Sequence, residues 1–457
     1  MSEATRDNPA VEKYARHVNP AFVKLLGMLR YGRLLTHAKD VWIRDHEGRE
    51  YLDLLAGFGS VNVGHNHPRL TARLKAFLDE DALNFVHVGP ASYAADLAER
   101  LAAIAGPPLE VAAFANTGSE AVEAGMKLAR FATGRDGFLS LEGGFHGLSF
   151  GALSVSGEEE LKREFGALVP GCDRVPAGDL AALERALATR RYAGLIVDPL
   201  QCEWAAAPLP HGYLARAQEL ARVHGTLMVL DEVQTGLGRT GSWFAFQQEG
   251  FVPDVLVLAK ALGGGLAPIG IALTSRAIHD RVFTTMDRFG IHGSTFAAGS
   301  LACVVALETI AIIQDQGLLE NARARGDELR RGLATRLAGH PLVKRIGGRG
   351  LLVSVELGPT ESGALNRIAP GMVEAVARGV FGQWASVRLL EAGVICQPAT
   401  RRWNVLKIEP PLTFAPAHVE RTISAFEQVL GAYQGLTPLI KDVTQRLGQQ
   451  FLAGWAF

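Results

Sequence analysis

The chain has 457 residues, 48% of them hydrophobic and 20% charged, with 46 Lys and Arg against 47 Asp and Glu for a formal net charge of -1. That profile suits a globular protein with a sizeable core. It excludes a disordered polyelectrolyte and, lacking a basic excess or a long like-charge block, points to small-molecule partners and away from nucleic acid.

At this length one core is exceeded, so a large and a smaller domain are expected. The first residues, MSEATRDNPAVEKYARH, are polar and mixed in charge, without the apolar run of a secretory signal. No apolar run reaches the roughly 20 residues that span a bilayer, so a cytoplasmic protein without membrane contact is expected. Cys172, Cys202, Cys303 and Cys396 are far apart with no C-x-x-C pair, which reads as reduced, mostly buried thiols and no metal site.

The strand-like DVWIRD and the turn at His46, Glu47 and Gly48 open the pattern, in an N-terminal segment (1–60) expected to pack with the small domain. From about residue 110 to 275, short apolar runs alternate with helical patterns, the signature of a mostly parallel sheet flanked by helices. Strands are predicted at Val111 to Phe114, Gly137 to Leu141, Gly194 to Val197, Thr226 to Leu230, Val255 to Leu258 and Ile269 to Thr274. Helices are predicted at Ser119 to Phe131, Asp179 to Thr189 and Tyr213 to His224. A large domain is thus assigned to 61–335. In the small domain (336–457), LLVSVEL and VLKIEPPLTF flank a helical stretch around Gly371 to Leu390. The tail carries Leu439, Val443, Leu447, Phe451 and Trp455 at a spacing of four, an apolar stripe expected to pack on the body or on a partner chain.

Three constellations carry chemistry. Asp231, followed by Glu232, Val233 and Gln234, comes directly after the apolar TLMVL. An acid at the carboxyl end of a strand in an open α/β sheet faces the ligand crevice and suits a cation such as a protonated pyridine nitrogen. Lys260 follows VLVL and precedes three glycines. Its stem lies along an apolar wall and its amine reaches the crevice, where an imine with a carbonyl can form. Asn116, Thr117, Gly118, Ser119 and Glu120 make a turn at a helix N-terminus, where amide N–H groups, two hydroxyls and the helix dipole suit a phosphate. Each residue alone has an ordinary alternative: a capping Asp, a solvated Lys, a plain N-cap. Phe145 and His146 follow a glycine pair, so an aromatic ring is available to lie on a cofactor ring. Val233 is the candidate for its other face. Ser294 and Thr295 add hydroxyls. The GLGRTG run at Gly236 to Gly241 matches a dinucleotide fingerprint, but DEVQT separates it from the strand and no helix clearly follows, which argues against a nicotinamide cofactor.

With GHNHP, TGSEAVEAGMKLAR, GGFHG, VDPLQCE, LDEVQTGLGRTG, LAKALGGG, HGSTF, GGRGLL and EPPLTF in order, the chain resembles the class III aminotransferases from about Asp40 to Phe414. The resemblance implies an α/β fold of the fold-type-I kind: a large domain with a mostly parallel central sheet plus a smaller α+β domain. It also implies pyridoxal 5'-phosphate and a homodimer with active sites at the subunit interface. By motif, Lys260 resembles the Schiff-base lysine and proton shuttle, and Asp231 the partner of the pyridinium nitrogen. Thr117, Gly118 and Ser119 would hold the phosphate, with Thr295 from the second subunit. Phe145 and Val233 would sandwich the ring beside His146, with Gln234 near its phenolic oxygen. Phe58, Glu203, Trp204 and Lys407 are assigned to the substrate.

Two positions depart from the family pattern. Lys407 stands where relatives that bind amino acids carry an arginine opposite the acid that Glu203 matches, and lysine cannot form the planar two-point clamp on a carboxylate. Trp204 replaces a small glycine. Arg401 and Arg402 are alternative anion contacts. The expectation is therefore transfer of an amino group from an amine or amino-acid donor to an aldehyde or keto acceptor, with an aliphatic amine or ω-amino substrate favoured. An acetylornithine or ornithine-type transaminase, an aminomutase or decarboxylase of the same family, and a non-catalytic cofactor-binding module stay open.

Overall fold

The computed structural model describes residues 8–28, 33–204, 207–283, 285–288, 290–358 and 381–433, with 438, 441, 442 and 445. The tail stripe Leu439 to Trp455 and the first part of the stretch expected around Gly371 to Leu390 lie outside these residues. The rest of that stretch forms the Gly382–Glu391 helix.

Strands β1 (Leu35–Lys39), β2 (Trp42–Asp45) and β3 (Glu50–Asp53) form an antiparallel meander near the N-terminus. Asp45 closes the tight β2–β3 turn: its Oδ1 accepts from the amides of Glu47 and Arg49 at 3.0 and 2.9 Å, the local bonding that favours Asp in turns.

The central sheet uses β4 (Val111–Ala115), β5 (Gly137–Leu141), β6 (Cys172–Val175), β7 (Tyr192–Val197), β10 (Leu227–Asp231), β11 (Val255–Leu258) and β12 (Gly270–Thr274). The two-residue strands β8 (Leu200–Gln201) and β9 (Ala207–Pro208) pair only with each other. The sheet order is β4-β12-β11-β10-β7-β5-β6, and β12 alone runs antiparallel to its neighbours. Strands β5, β7, β11 and β12 are buried along their whole length, which is why they read as continuous apolar runs without alternation. The six predicted strands are all present, within one or two residues at their ends. The edge strand β6 escaped prediction because its sequence, CDRV, is charged and only half-buried.

The Gly118–Thr133 helix lies across this sheet, with Ala121, Val122, Ala124, Gly125, Met126, Leu128 and Ala129 buried. Thr117 caps its start and Gly134, at φ +68°, ends it in the left-handed conformation. Gly125 sets how closely helix and sheet approach, because a Cβ there would lie 2.9 Å from Val229 Cγ1.

The last sheet is antiparallel, in the order β13 (Val343–Arg349), β14 (Leu352–Leu357), β17 (Arg402–Ile408) and β16 (Gln397–Ala399), and is backed by the Leu318–Arg336 and Gly382–Glu391 helices, on which the Pro416–Gly431 helix packs. Between them β15 (Val394–Ile395) leaves this region to pair in parallel with β3, so residues 35–53 and the C-terminal part share one sheet. Among the described residues no single helix is long and apolar enough to cross a membrane. Cys202, Cys303 and Cys396 are buried free thiols, and Cys172 is partly exposed.

Replacing Gly125 with Leu forces the helix off the sheet. Overpacking of this kind should cost about 1–3 kcal/mol, measured by equilibrium urea unfolding; unchanged stability would mean that the helix shifts freely.

Candidate active site

The parallel strands β4, β5, β7, β10 and β11 all present their carboxyl ends to one edge of the central sheet, the edge at which open α/β sheets bind ligands. The segments that follow them line a cleft of about 190 Å³ that opens to solvent. Thr117, Gly118, Ser119, Phe145, His146, Asp231, Val233, Gln234 and Lys260 all line it, as does Glu203. Phe58, Trp204, Thr295 and Lys407 are not part of that lining.

At one end the chain turns from β4 into the Gly118–Thr133 helix. Thr117 Oγ1 accepts from the Glu120 amide at 3.1 Å, and Glu120 Oε2 accepts from the Asn116 amide at 2.7 Å. Together these bonds hold the turn rigid. The Gly118 and Ser119 amides occupy the first helical positions, where no carbonyl one turn back is available. Space there is tight: a Cβ on Gly118 would sit 3.0 Å from Val233 Cγ1, and one on Gly147 would run into Ser119 Oγ at 2.2 Å. Only backbone fits beside these residues, which leaves the amides and the Ser119 hydroxyl to meet a ligand.

At the middle of the cleft Asp231 ends β10. Its Oδ1 accepts from the Val233 amide at 3.0 Å and its Oδ2 pairs with His146 Nδ1 at 2.9 Å. His146 is fully enclosed and its Nε2 has no hydrogen-bond partner among the described residues. Burial alone would push its imidazole pKa down, but the hydrogen bond and charge of Asp231, with the charge of Asp198, hold it above the ordinary value. Asp198 is pushed up to about 7 by burial, against the pull of His146. Glu232 turns away from the cleft: it accepts from the amides of Ala245 and Phe246 at 2.7 and 2.9 Å and thereby fixes the loop after β10.

Lys260 sits just past β11 with φ +44°, a left-handed backbone that costs a non-glycine residue about 1–2 kcal/mol. Its Nζ donates to Gln234 Oε1 at 2.8 Å, and Gln234 Nε2 donates to Glu409 Oε2 at 2.7 Å. Beyond Glu409 lies Lys407, fully buried, with Nζ 2.5 Å from Glu203 Oε1 and 3.2 Å from Glu409 Oε1. Glu203 Oε2 accepts from the Thr400 hydroxyl at 2.6 Å and its amide at 3.1 Å. Burial alone would raise the Glu203 carboxyl, but the charges of Lys407 and Lys260 and these hydrogen bonds hold it at about 2. Lys407, which burial alone would push down, is held above the usual lysine range by Glu409 and Glu203. Lys407, assigned to the substrate from the sequence, thus has both neighbouring carboxylates as partners.

The other substrate candidates border this group. The Phe58 ring centroid is 5.3 Å from Lys407 Nζ. Trp204 packs on Gly143, where a Cβ would come within 3.0 Å of the indole, so it forms a wall beside the cleft. Arg402 lies over the Trp204 ring at 5.5 Å and donates to Glu356 at 2.8 Å, so it is occupied and not a free anion contact. Thr295 is exposed, while its neighbour Ser294 accepts from Asn116 Nδ2 at 2.9 Å. The GLGRTG run is a series of turns, followed only by the one-turn 3-10 helix Ala245–Gln248. Its Arg239 is wholly buried, donating to the carbonyls of Leu351 at 2.8 Å and Pro410 at 2.5 Å. That disposes of the dinucleotide alternative.

The family model for aminotransferase class-III matches residues 29–430. The chain belongs to the class III aminotransferases. The aminotransferase PigE of Serratia sp. is 34% identical over 450 residues, which cover 92% of this chain and 53% of PigE. The chain therefore spans about half the length of that relative. Among solved structures, ornithine aminotransferase from Toxoplasma gondii is 29% identical with a TM-score of 0.78, over 88% of this chain and 90% of its own. An amine transaminase from an uncultivated Pseudomonas species, in a PLP-bound form, is 28% identical with a TM-score of 0.78, over 87% and 94% of the two chains. The fold is that of the fold-type-I enzymes, and pyridoxal phosphate is the cofactor of the family. The cleft of this class III chain has the donor set such a group needs: amides at a helix start, a carboxylate backed by a buried histidine, and a lysine amine reaching the same space.

Sequence reasoning passed over Glu409 and Arg239. Both lie inside recognised blocks, yet neither block signals that its charged residue is buried against the other's neighbours.

Because Glu203 is held at about 2 in the fold against an ordinary 4.5, its stabilising contribution is complete above pH 4.5 and is lost as pH falls toward 2. Glu203→Gln should flatten the acid limb of the stability-pH curve over that window, read from urea midpoints. An unchanged limb would show that the pair does not contribute.

Proposed function

We propose that this chain is a pyridoxal-phosphate-dependent aminotransferase whose donor is an aliphatic amine or ω-amino compound, with an aldehyde or keto compound as acceptor. The observation that carries the donor class is the closed Glu203–Lys407–Glu409 group. A carboxylate bound there would have to take Lys407 from partners at 2.5 and 3.2 Å. Breaking a buried ion pair strands a charge, at a cost of about 3–5 kcal/mol. An ornithine- or acetylornithine-type donor is disfavoured on the same ground.

When bound, pyridoxal phosphate supplies an aldehyde for imine formation and a ring that stores the electron pair left on the substrate carbon. Lys260 would hold the cofactor through its amine, and its Nζ would carry the proton to and from the substrate carbon. Asp231, steadied by His146, keeps a pyridine nitrogen protonated. Gly118 and Ser119 hold the phosphate with their amides, helped by the Thr117 and Ser119 hydroxyls. Phe145 and Val233 confine the ring from its two faces, and Gln234 holds the lysine side. The enzyme is proposed to act as a cytoplasmic homodimer, a second copy bringing Thr295, which lies outside the lining of its own chain's cleft. Residues 1–60 and 336–457 are proposed to form the small domain around a large domain of 61–335.

Lys260→Ala should lower kcat by about 100- to 10,000-fold, the range for removing a positioned proton carrier, while the protein still binds the cofactor, followed by its visible absorbance. Near-normal turnover would refute the assignment. In a donor panel against an aliphatic aldehyde acceptor, aliphatic mono- and diamines should exceed ornithine and acetylornithine in kcat/KM; the reverse order would overturn the donor class.

A further inference from the structure

We propose that Glu409 is the residue that sets substrate class here: it locks Lys407 and so removes the cation that a substrate carboxylate would need. The proposal rests on the aminotransferase reading above.

Glu409 is wholly buried, and its backbone amide donates to Leu54 O at 2.9 Å, fixing it against the N-terminal sheet. Its two carboxylate oxygens face different groups. Oε2 accepts from Gln234 Nε2 at 2.7 Å, and Oε1 makes an ion contact with Lys407 Nζ at 3.2 Å, outside hydrogen-bond alignment. The Lys407 ammonium meets Glu203 at 2.5 Å on one side, Glu409 on another, and the Phe58 ring at 5.3 Å. A compact ammonium has three N–H donors, and these neighbours take up its surroundings.

Charge balance leads to the same conclusion. Lys407 and Arg239 are buried cations, and Glu203 and Glu409 are buried anions. Arg239 feels Glu409 directly: burial pulls the guanidinium down to about 10 while the charge of Glu409 resists. The four formal charges sum to zero. A ligand carboxylate beside Lys407 adds an anion to a group of four already in balance, and a desolvated carboxylate without a partner is strongly disfavoured. An amine with an apolar or hydroxylated far end meets no such penalty.

The near-isosteric Glu409→Gln keeps the side-chain shape and leaves one surplus positive charge in the group. Glutarate, a dicarboxylate that cannot be transaminated, is titrated into wild-type and variant holoenzyme by calorimetry. Turnover is compared with hexylamine and 2-aminoheptanoate, which differ only by the α-carboxylate. The variant is expected to bind glutarate roughly tenfold or more tightly than wild type, a factor equal to about 1.4 kcal/mol. The ratio of kcat/KM for 2-aminoheptanoate to that for hexylamine should rise to a similar extent. General damage would lower both rates and leave the ratio alone, so an unchanged ratio with unchanged glutarate affinity overturns the proposal. The wild type is a test in itself should the variant fold poorly: glutarate that binds it tightly and competes with hexylamine also overturns the proposal. Calorimetry needs no turnover, so inactivity with every donor counts against the aminotransferase reading, while equal glutarate affinities count against Glu409.

Discussion

Four buried charges compensate one another beside the cleft, with Glu203 alone of them reaching its lining. Lys407 and Glu409 come from β17 and the segment after it, Glu203 from the turn after β8, and Arg239 from the loop after β10. Buried ion pairs contribute little net stability, because desolvation consumes most of the attraction. Their importance lies in what happens when one partner is missing. Each holds another in place, and the chain of contacts runs from Thr400 through Glu203, Lys407, Glu409 and Gln234 to the Lys260 amine. The C-terminal sheet is thereby coupled to the edge of the central sheet through polar groups with little freedom to rearrange.

The remaining parts of the cleft follow from sheet geometry. Parallel strands bring their carboxyl ends to one edge, so Asp231, Lys260 and the Thr117 to Ser119 turn, distant in sequence, face one space. Small residues matter where backbone must come close: Gly118 beneath Val233 and Gly147 beside Ser119. The strained backbone of Lys260 fits the same picture, since left-handed non-glycine residues persist where the surroundings determine them and cluster at functional sites.

Much of this was legible in the sequence. The buried strands announced themselves because both faces are covered, so nearly every residue is apolar. The catalytic candidates stood at strand ends, where the chain must change character abruptly. Strand β6 did not announce itself, because an edge strand tolerates the charges of CDRV. Nor did Glu409, whose partner Gln234 lies 175 positions away; a charged letter in a recognised block is silent on what it touches. Arg239 invited a dinucleotide reading by its glycine neighbours, and only its burial among the carbonyls of Leu351 and Pro410 shows that those glycines serve tight turns.

By itself the sequence determined the family and the buried strands of the central sheet, and it named candidates for the cofactor, because local periodicity and contiguous motifs carry that information. Tertiary structure alone decided what Lys407 is. In sequence it is a lysine in place of an arginine, a weaker clamp for a carboxylate. In the fold it is a cation already held by two buried carboxylates. The physical reason is that a charge has meaning only with its surroundings: the cost of leaving water and the partners that offset that cost come from segments that meet only when the chain has folded.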